Sequence, residues 1–181
     1  MAINDDIEKA KKALTDIDKK AVPQAMARTI NNIAAKVIVR AVIDTSKRVD
    51  VPKRFIKGRV RLERAKSNRL SAFIKVNRGN LPVIRLIKGS GRFVRRGENK
   101  GQLKVGNRFF QRAFIQMLQN GRTQVMQRQG KDRYPIDVVK IPLKIPLTEA
   151  FHAEVKRAYE NEMPIELRNQ LIRQMQIVVK K

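Results

Sequence analysis

The chain contains no cysteine, no tryptophan and one histidine, and only 5% of its 181 residues are aromatic. Without cysteine there is no disulfide, no thiolate metal site and no cysteine nucleophile. His152 has no second histidine with which to share a zinc ion, and neither HExxH nor GxSxG occurs. It sits on a helical pattern three and four residues from Glu149 and Lys156, and reads as a structural or solvated side chain. The glycine pair in KGSGR fails the dinucleotide fingerprint, because Val94 stands where the third glycine belongs, and no GK[ST] follows it. No catalytic residue, metal or cofactor is expected, and the chain is not expected to be an enzyme. No apolar run approaches the ~18 residues of a membrane span. Asp5 and Asp6, with no apolar stretch behind them, do not open a signal peptide. The expectation is a soluble chain made in the cytosol, with no membrane partner.

Acidic residues are scarce as well: 16 against 41 Lys plus Arg, for a formal charge of +25. With 42% hydrophobic residues, the sequence supports a packed core, and residues 1–181 are expected to form one domain. The charge is uneven, being +2 over residues 1–46, +18 over 47–112 and +5 over 113–181. A solvated surface ordinarily mixes signs, so a nearly acid-free middle points to a polyanionic partner. The densest run is Lys53, Arg54, Lys57, Arg59, Arg61, Arg64, Lys66 and Arg69, and these are the candidate DNA-facing residues. Arg92, Arg95, Arg96 and Lys100 join them from a glycine-rich stretch. Phe73 has no paired stacking residue on its strand pattern, so contact with double-stranded DNA would be non-specific, through phosphate, and sensitive to salt.

The patterning predicts an α+β fold with a helical arm over residues 1–48, a basic sheet region over 49–146 and C-terminal helices over 147–181. Asn4 can cap a first helix with Ile7, Ala10, Leu14 and Ile17 on one face. Pro23 opens or kinks a second, whose stripe Met26, Ile30, Ile33, Val37 and Ala41 runs to about Thr45, on the order of 35 Å. Asp50 and Pro52 start a short helix through Phe55 and Ile56. RVRLERA, SAFIKVN and LPVIRL then read as a three-membered antiparallel meander, with Pro82 putting the last member at an edge or starting it late. Residues 88–106 read as a basic, flexible hairpin. AFIQML and QVMQR flank the turn QNGR, and RYPIDVVKIPLKIP, with Pro135, Pro142 and Pro146, supplies an edge strand or extended arm. Thr148 is expected to cap a helix through Phe151, Val155 and Tyr159, and Pro164 to open another with Leu167, Leu171, Met175 and Val178.

From Ala72 to about Phe151 the stretches IKVNRGNLPVIRL, VGNR, AFIQMLQNGRTQVMQR and RYPIDVVKIPLKIPLTEAF, in that order and spacing, resemble the minor tail protein Z family of lambda-like tailed phages. AVPQA near the N-terminus agrees more loosely, and residues 88–106 depart from the lambda-like sequence in length and basic content. The resemblance implies a structural protein of the virion: a tail-completion factor at the head-proximal end of the tail, assembled in the host cytoplasm, within a neck through which DNA passes. It implies a homo-oligomeric ring, six copies being the leading number, in contact with the tail terminator, the tail tube and head-neck proteins. No catalytic residue comes with it. Ile141, Pro142, Leu143, Ile145 and Pro146 are the candidate contacts between subunits, since a proline-preorganised edge suits a neighbour while resisting uncontrolled strand addition. The competing reading is a freestanding, non-specific nucleic-acid-binding protein.

Overall fold

The computed structural model describes residues 7–8, 11–12, 14–15, 17–87, 91–93, 102–130 and 132–179, with the backbone alone at 91–93 and 178–179. The architecture is the expected mixture: a long N-terminal helix, small antiparallel sheets in the middle and C-terminal helices. The chain divides into two compact units, one made of residues 1–45, 53–77 and 148–181, the other of 46–52 and 78–147. Asn4 and Ala10, cited for the first helix, lie outside the described residues.

The first unit is built on α1 (Val22–Arg48), which follows a π-helical turn, Ile17–Ala21. Pro23 is the second residue of α1, directly after that turn, and the wider π-helical bonding accommodates a residue with no N–H. The buried ladder is Ala25, Thr29, Ile33, Val37, Ala41 and Thr45. Met26 and Ile30 are only half-buried, so the first half of the inward face is rotated from the expected stripe toward smaller side chains. Buried Thr29 donates its hydroxyl to the Ala25 carbonyl at 2.9 Å, which is why a polar residue is tolerated there. After α2 (Lys53–Lys57), whose Ile56 is fully buried, come β1 (Val60–Glu63) and β2 (Phe73–Val76). They pair antiparallel from Val60 opposite Val76 to Glu63 opposite Phe73.

The expected third member of that meander does not form. LPVIRL gives only a two-residue strand, β3 (Leu81–Pro82), then a 3-10 turn over Val83–Leu86. Pro82 has no N–H to continue a ladder. Instead Val83 donates to the Val139 carbonyl at 3.0 Å, and β3 pairs with β10 (Lys140–Ile141), distant in sequence. The second unit also holds a sheet of β4 (Gly91–Phe93), β5 (Leu103–Val105) and β6 (Arg108–Phe110), and one of β7 (Ala113–Met117), β8 (Thr123–Arg128) and β9 (Ile136–Val138). The central sheet is thus several small ones. Its core includes Leu81, Val83, Leu103, Val105, Val125, Ile141, Leu143 and Leu147. The basic hairpin is present as β4 and β5; the mobility expected of its tip falls on residues 94–101, outside the described ones. QNGR turns as expected, with Gly121 at φ 73° donating to the Leu118 carbonyl at 2.9 Å.

The proline-rich stretch is resolved into three punctuation marks. Pro135, after a cis bond from Tyr134, precedes β9, Pro142 follows β10, and Pro146 stands third in α3 (Lys144–Arg157). Thr148 is therefore inside the helix rather than its cap, because α3 starts earlier: Leu147 makes a backbone bond to the Leu143 carbonyl at 3.1 Å. A proline at the third position has no intrahelical N–H bond to forfeit. After α3 a π-helical turn (Ala158–Glu162) leads without a break into α4 (Met163–Val179), whose second residue is Pro164; the wider π-helical bonding before it accommodates the missing N–H. The residues α4 buries most are Gln170 and Gln174, while Leu167 and Leu171 are half-buried and Met175 is 45% exposed.

Polar contacts tie α1 to these C-terminal elements. Arg40 pairs with Glu162 and approaches Glu154 at 4.0 Å. Glu166 accepts from Asn32 at 2.8 Å, Gln170 at 3.0 Å and Lys36 at 3.2 Å. Those bonds, Asn32's first, hold the Glu166 carboxyl down to about 2 against the desolvation that pushes it up. A second link reaches the β1–β2 connection, where the Asn31 amide donates to the Ala65 carbonyl at 2.9 Å and accepts from the Ala65 N–H at 2.8 Å.

Two outcomes follow. Asn31→Ala strands both backbone groups of buried Ala65 and should lower stability by about 1–3 kcal/mol in urea denaturation. Asn31→Asp should also destabilise, because a carboxylate accepts but cannot donate. Folded Glu166 stays ionised where the unfolded chain has already bound a proton, so its stabilisation is complete above the ordinary carboxylate range and is lost as pH falls toward about 2. Glu166→Gln should therefore be less stable than the parent at neutral pH, with the gap narrowing as urea midpoints are followed down to about pH 3.

Candidate nucleic-acid interface

All eight residues of the dense basic run, Lys53 to Arg69, fall in the first unit, on α2, the turn after it, β1 and the connection to β2. Seven are exposed and Arg59 is half-buried. Over residues 53–77 Glu63 is the only acid. The segment is held open by its own backbone. Lys66 and Arg69 exchange two N–H to carbonyl bonds of 2.9 Å across Ser67 and Asn68, and the Arg69 guanidinium donates to the Arg64 carbonyl at 3.3 Å. With Ala65 gripped by Asn31, Arg64, Lys66 and Arg69 are presented from an ordered turn.

On the strands, alternation separates the faces. Val60, Leu62, Ile74 and Val76 are half-buried, whereas Arg61 and Lys75 stand directly opposite each other on the outer face beside Glu63 and Phe73. Two like charges across a ladder repel, and Glu63 offsets part of this through its ion pair with Lys75. That hydrogen bond, then the charges of Lys75 and Arg69, lower the Glu63 pKa, so the carboxylate remains ionised and engaged. Among the described residues, Lys53, Arg54, Lys57, Arg61, Arg64, Lys66 and Arg69 form no ion pair with a carboxylate. Arg54 lies 4.8 Å from the Phe55 ring centroid, which steadies its guanidinium, and Arg59 donates to the Asn77 carbonyl at 3.5 Å. Chemically the arrangement offers donors and positive charge to phosphate, and nothing that selects a base.

Of Arg92, Arg95, Arg96 and Lys100, only Arg92 is on a described element, in the second unit. Arg92 lies on β4 opposite Lys104, and its side chain, like Arg95, Arg96 and Lys100, is outside the described residues. Of the candidate subunit contacts, Ile141 and Leu143 are in the core of their unit, Pro142 and Ile145 are exposed and Pro146 is half-buried. His152 is exposed on α3. Among the described residues, no group of three His, Cys, Asp or Glu side chains is placed to hold a metal ion, and no helix is long and apolar enough to cross a membrane.

Two contributors were absent from the sequence reading. Lys75 was recoverable from the alternation in SAFIKVN, which puts it in phase with Phe73 and so on the polar face. Asn31 left no local signal, because its role is defined by a residue 34 positions away.

The family profile described as prophage minor tail protein Z (GPZ) matches residues 6–181. The chain is 43% identical over 177 residues to a tail completion protein of Escherichia phage N15, covering 96% of each chain. It is 44% identical over 189 residues to tail completion protein Z of Escherichia phage lambda, covering 97% of each. No solved structure matches. The resemblance visible between Ala72 and Phe151 thus extends over nearly the whole length, and the chain belongs to the prophage minor tail protein Z family.

Proposed function

We propose that this protein is a structural component of a phage tail that completes its head-proximal end and forms part of the neck through which DNA passes. The observation that carries the tail role is the collinear match, over 96% and 97% of both chains, to proteins named for tail completion. The DNA contact is supported separately by the ordered, acid-poor segment over residues 53–77, a short helix followed by the β1–β2 hairpin. A channel that conducts a polyanion has to attract it without trapping it, and dispersed phosphate contacts with no base readout meet both demands.

The protein works as a single tail-completion domain in a closed homo-oligomeric ring, six copies being the leading number. Closed symmetry is the usual outcome of repeated head-to-tail contacts. The exposed Pro142 and Ile145 are the members of the proline-rich edge available to a neighbour. The tail terminator, the tail tube and head-neck proteins flank the ring, which is assembled in the host cytoplasm. It performs no catalysis.

Replacing Arg61, Arg64 and Lys66 together by Gln tests the DNA contact. Each is exposed, so each change should alter stability by under about 0.5 kcal/mol, while DNA delivery by virions carrying the variant should fall. Unchanged delivery would reduce the hairpin to ordinary surface charge. Native mass spectrometry of isolated tail ends tests the ring: one copy per particle would contradict it. Tight duplex binding by a free monomer that never joins tails would favour a freestanding nucleic-acid-binding protein.

A further inference from the structure

β6 and β7 are joined by the two residues Gln111 and Arg112, and Arg112 sits in the left-handed region with φ 54°. An L side chain is crowded there by the neighbouring carbonyl, which is why glycine or asparagine normally takes such a position. Elsewhere in this unit such conformations fall to residues that tolerate them, Asp50 at φ 42° and two glycines. Gly106 between β5 and β6 has φ 60°, and Gly121 between β7 and β8 has φ 73°. An arginine at a glycine-type position implies that its side chain serves a purpose outside the turn.

Arg112 lines a depression of about 500 Å³ together with Ala113, Phe114, Arg128 and Gly130. The Arg128 N–H reaches the Arg112 carbonyl at 3.4 Å, which brings both arginines to the same end of the β7–β8 ladder. Phe114 is half-buried, and the Arg128 guanidinium lies 5.5 Å from its ring centroid, so the aromatic face orients the cation. No carboxylate lines the depression, and neither arginine is in an ion pair among the described residues. The nearest acid along β9, Asp137, is opposite Gln127, out of phase with Arg128, and accepts from Gln129.

The geometry points to a second phosphodiester contact, in which Arg112 and Arg128 hold a backbone phosphate of nucleic acid over the Phe114 ring. This rests on the proposed DNA contact and adds an anchorage in the other unit. Two exposed guanidinium groups over an open depression suit one phosphate of a longer polyanion, whose remaining charge is met by the rest of a +25 chain. A free phosphate ion would gain no such support.

The test uses the full chain, a mixed-sequence duplex oligonucleotide, and the variants Arg112→Gly and Arg112→Gly/Arg128→Gln. Glycine relieves the left-handed strain, so Arg112→Gly should melt at the same temperature as the parent or higher while binding the duplex more weakly. The double variant should lose about tenfold in affinity and flatten the slope of log affinity against log salt by about two. A lower melting temperature for Arg112→Gly would mean that the arginine serves the fold, and overturns the inference. If the double variant binds as the parent does while Arg61→Gln/Arg64→Gln/Lys66→Gln binds less well, the second contact is wrong and the hairpin reading stands. Failure of the parent chain to bind duplex overturns both. Inorganic phosphate that shifts the Arg112 and Arg128 amide resonances, with duplex binding unchanged in the double variant, would assign the site to a free oxyanion and overturn the nucleic-acid contact.

Discussion

Carboxylates are the scarce resource of this molecule, and where they are used decides what the rest of the surface can do. Glu162 and Glu166, with Glu154 close by, are placed against Arg40 and Lys36 of α1. There they neutralise cations that would otherwise oppose helix packing. The lowered pKa of Glu162 and Glu166 follows from those hydrogen bonds, foremost from Arg40 and Asn32 respectively. With the acids engaged among the helices, the segment over residues 53–77 retains only Glu63.

A basic segment left uncompensated is expensive to order, because like charges repel and side chains lose rotamer freedom. Neutral backbone and amide contacts meet that cost here. The reciprocal bonds of Lys66 and Arg69, and the two bonds of Asn31 to Ala65, fix the turn without neutralising any cation. Structure and charge are thereby largely decoupled: the turn is fixed by backbone and amide hydrogen bonds, the one ion pair on the strands, Lys75 with Glu63, engages a single cation, and Arg61, Arg64 and Lys66 carry no carboxylate partner among the described residues. Arg112 shows the same economy in the second unit, where an awkward backbone conformation is kept and the side chain stays exposed.

What could be read from the sequence divides along a physical line. α1, α2, the β1–β2 pair and the β7–β8 hairpin depend on local periodicity and turn residues, and each is where the patterning puts it. The pairing of β3 with β10 depends on Pro82 denying a ladder bond and on Val139 supplying one from far along the chain. No local pattern encodes that. The start of α3 was hidden because Pro146 reads as a breaker until its place in the first turn is known. In α1 the inward choice of Ala25 and Thr29 over Met26 and Ile30 reflects how closely neighbours pack, which hydropathy alone does not weigh. For the site, the cations were legible as charge density; Asn31 and the left-handed Arg112 were not, since one acts at long range and the other departs from turn propensity.

The central claim is that this chain sits at the head-proximal tail end with its basic hairpin directed at DNA. Reconstruction of that end of the virion without imposed symmetry, at side-chain resolution, tests it most directly. The account predicts a closed ring of this chain at the joint, with the turn holding Arg64, Lys66 and Arg69 facing the DNA path. Density for the chain elsewhere in the tail, or that turn buried against protein with carboxylates on its cations, would contradict it.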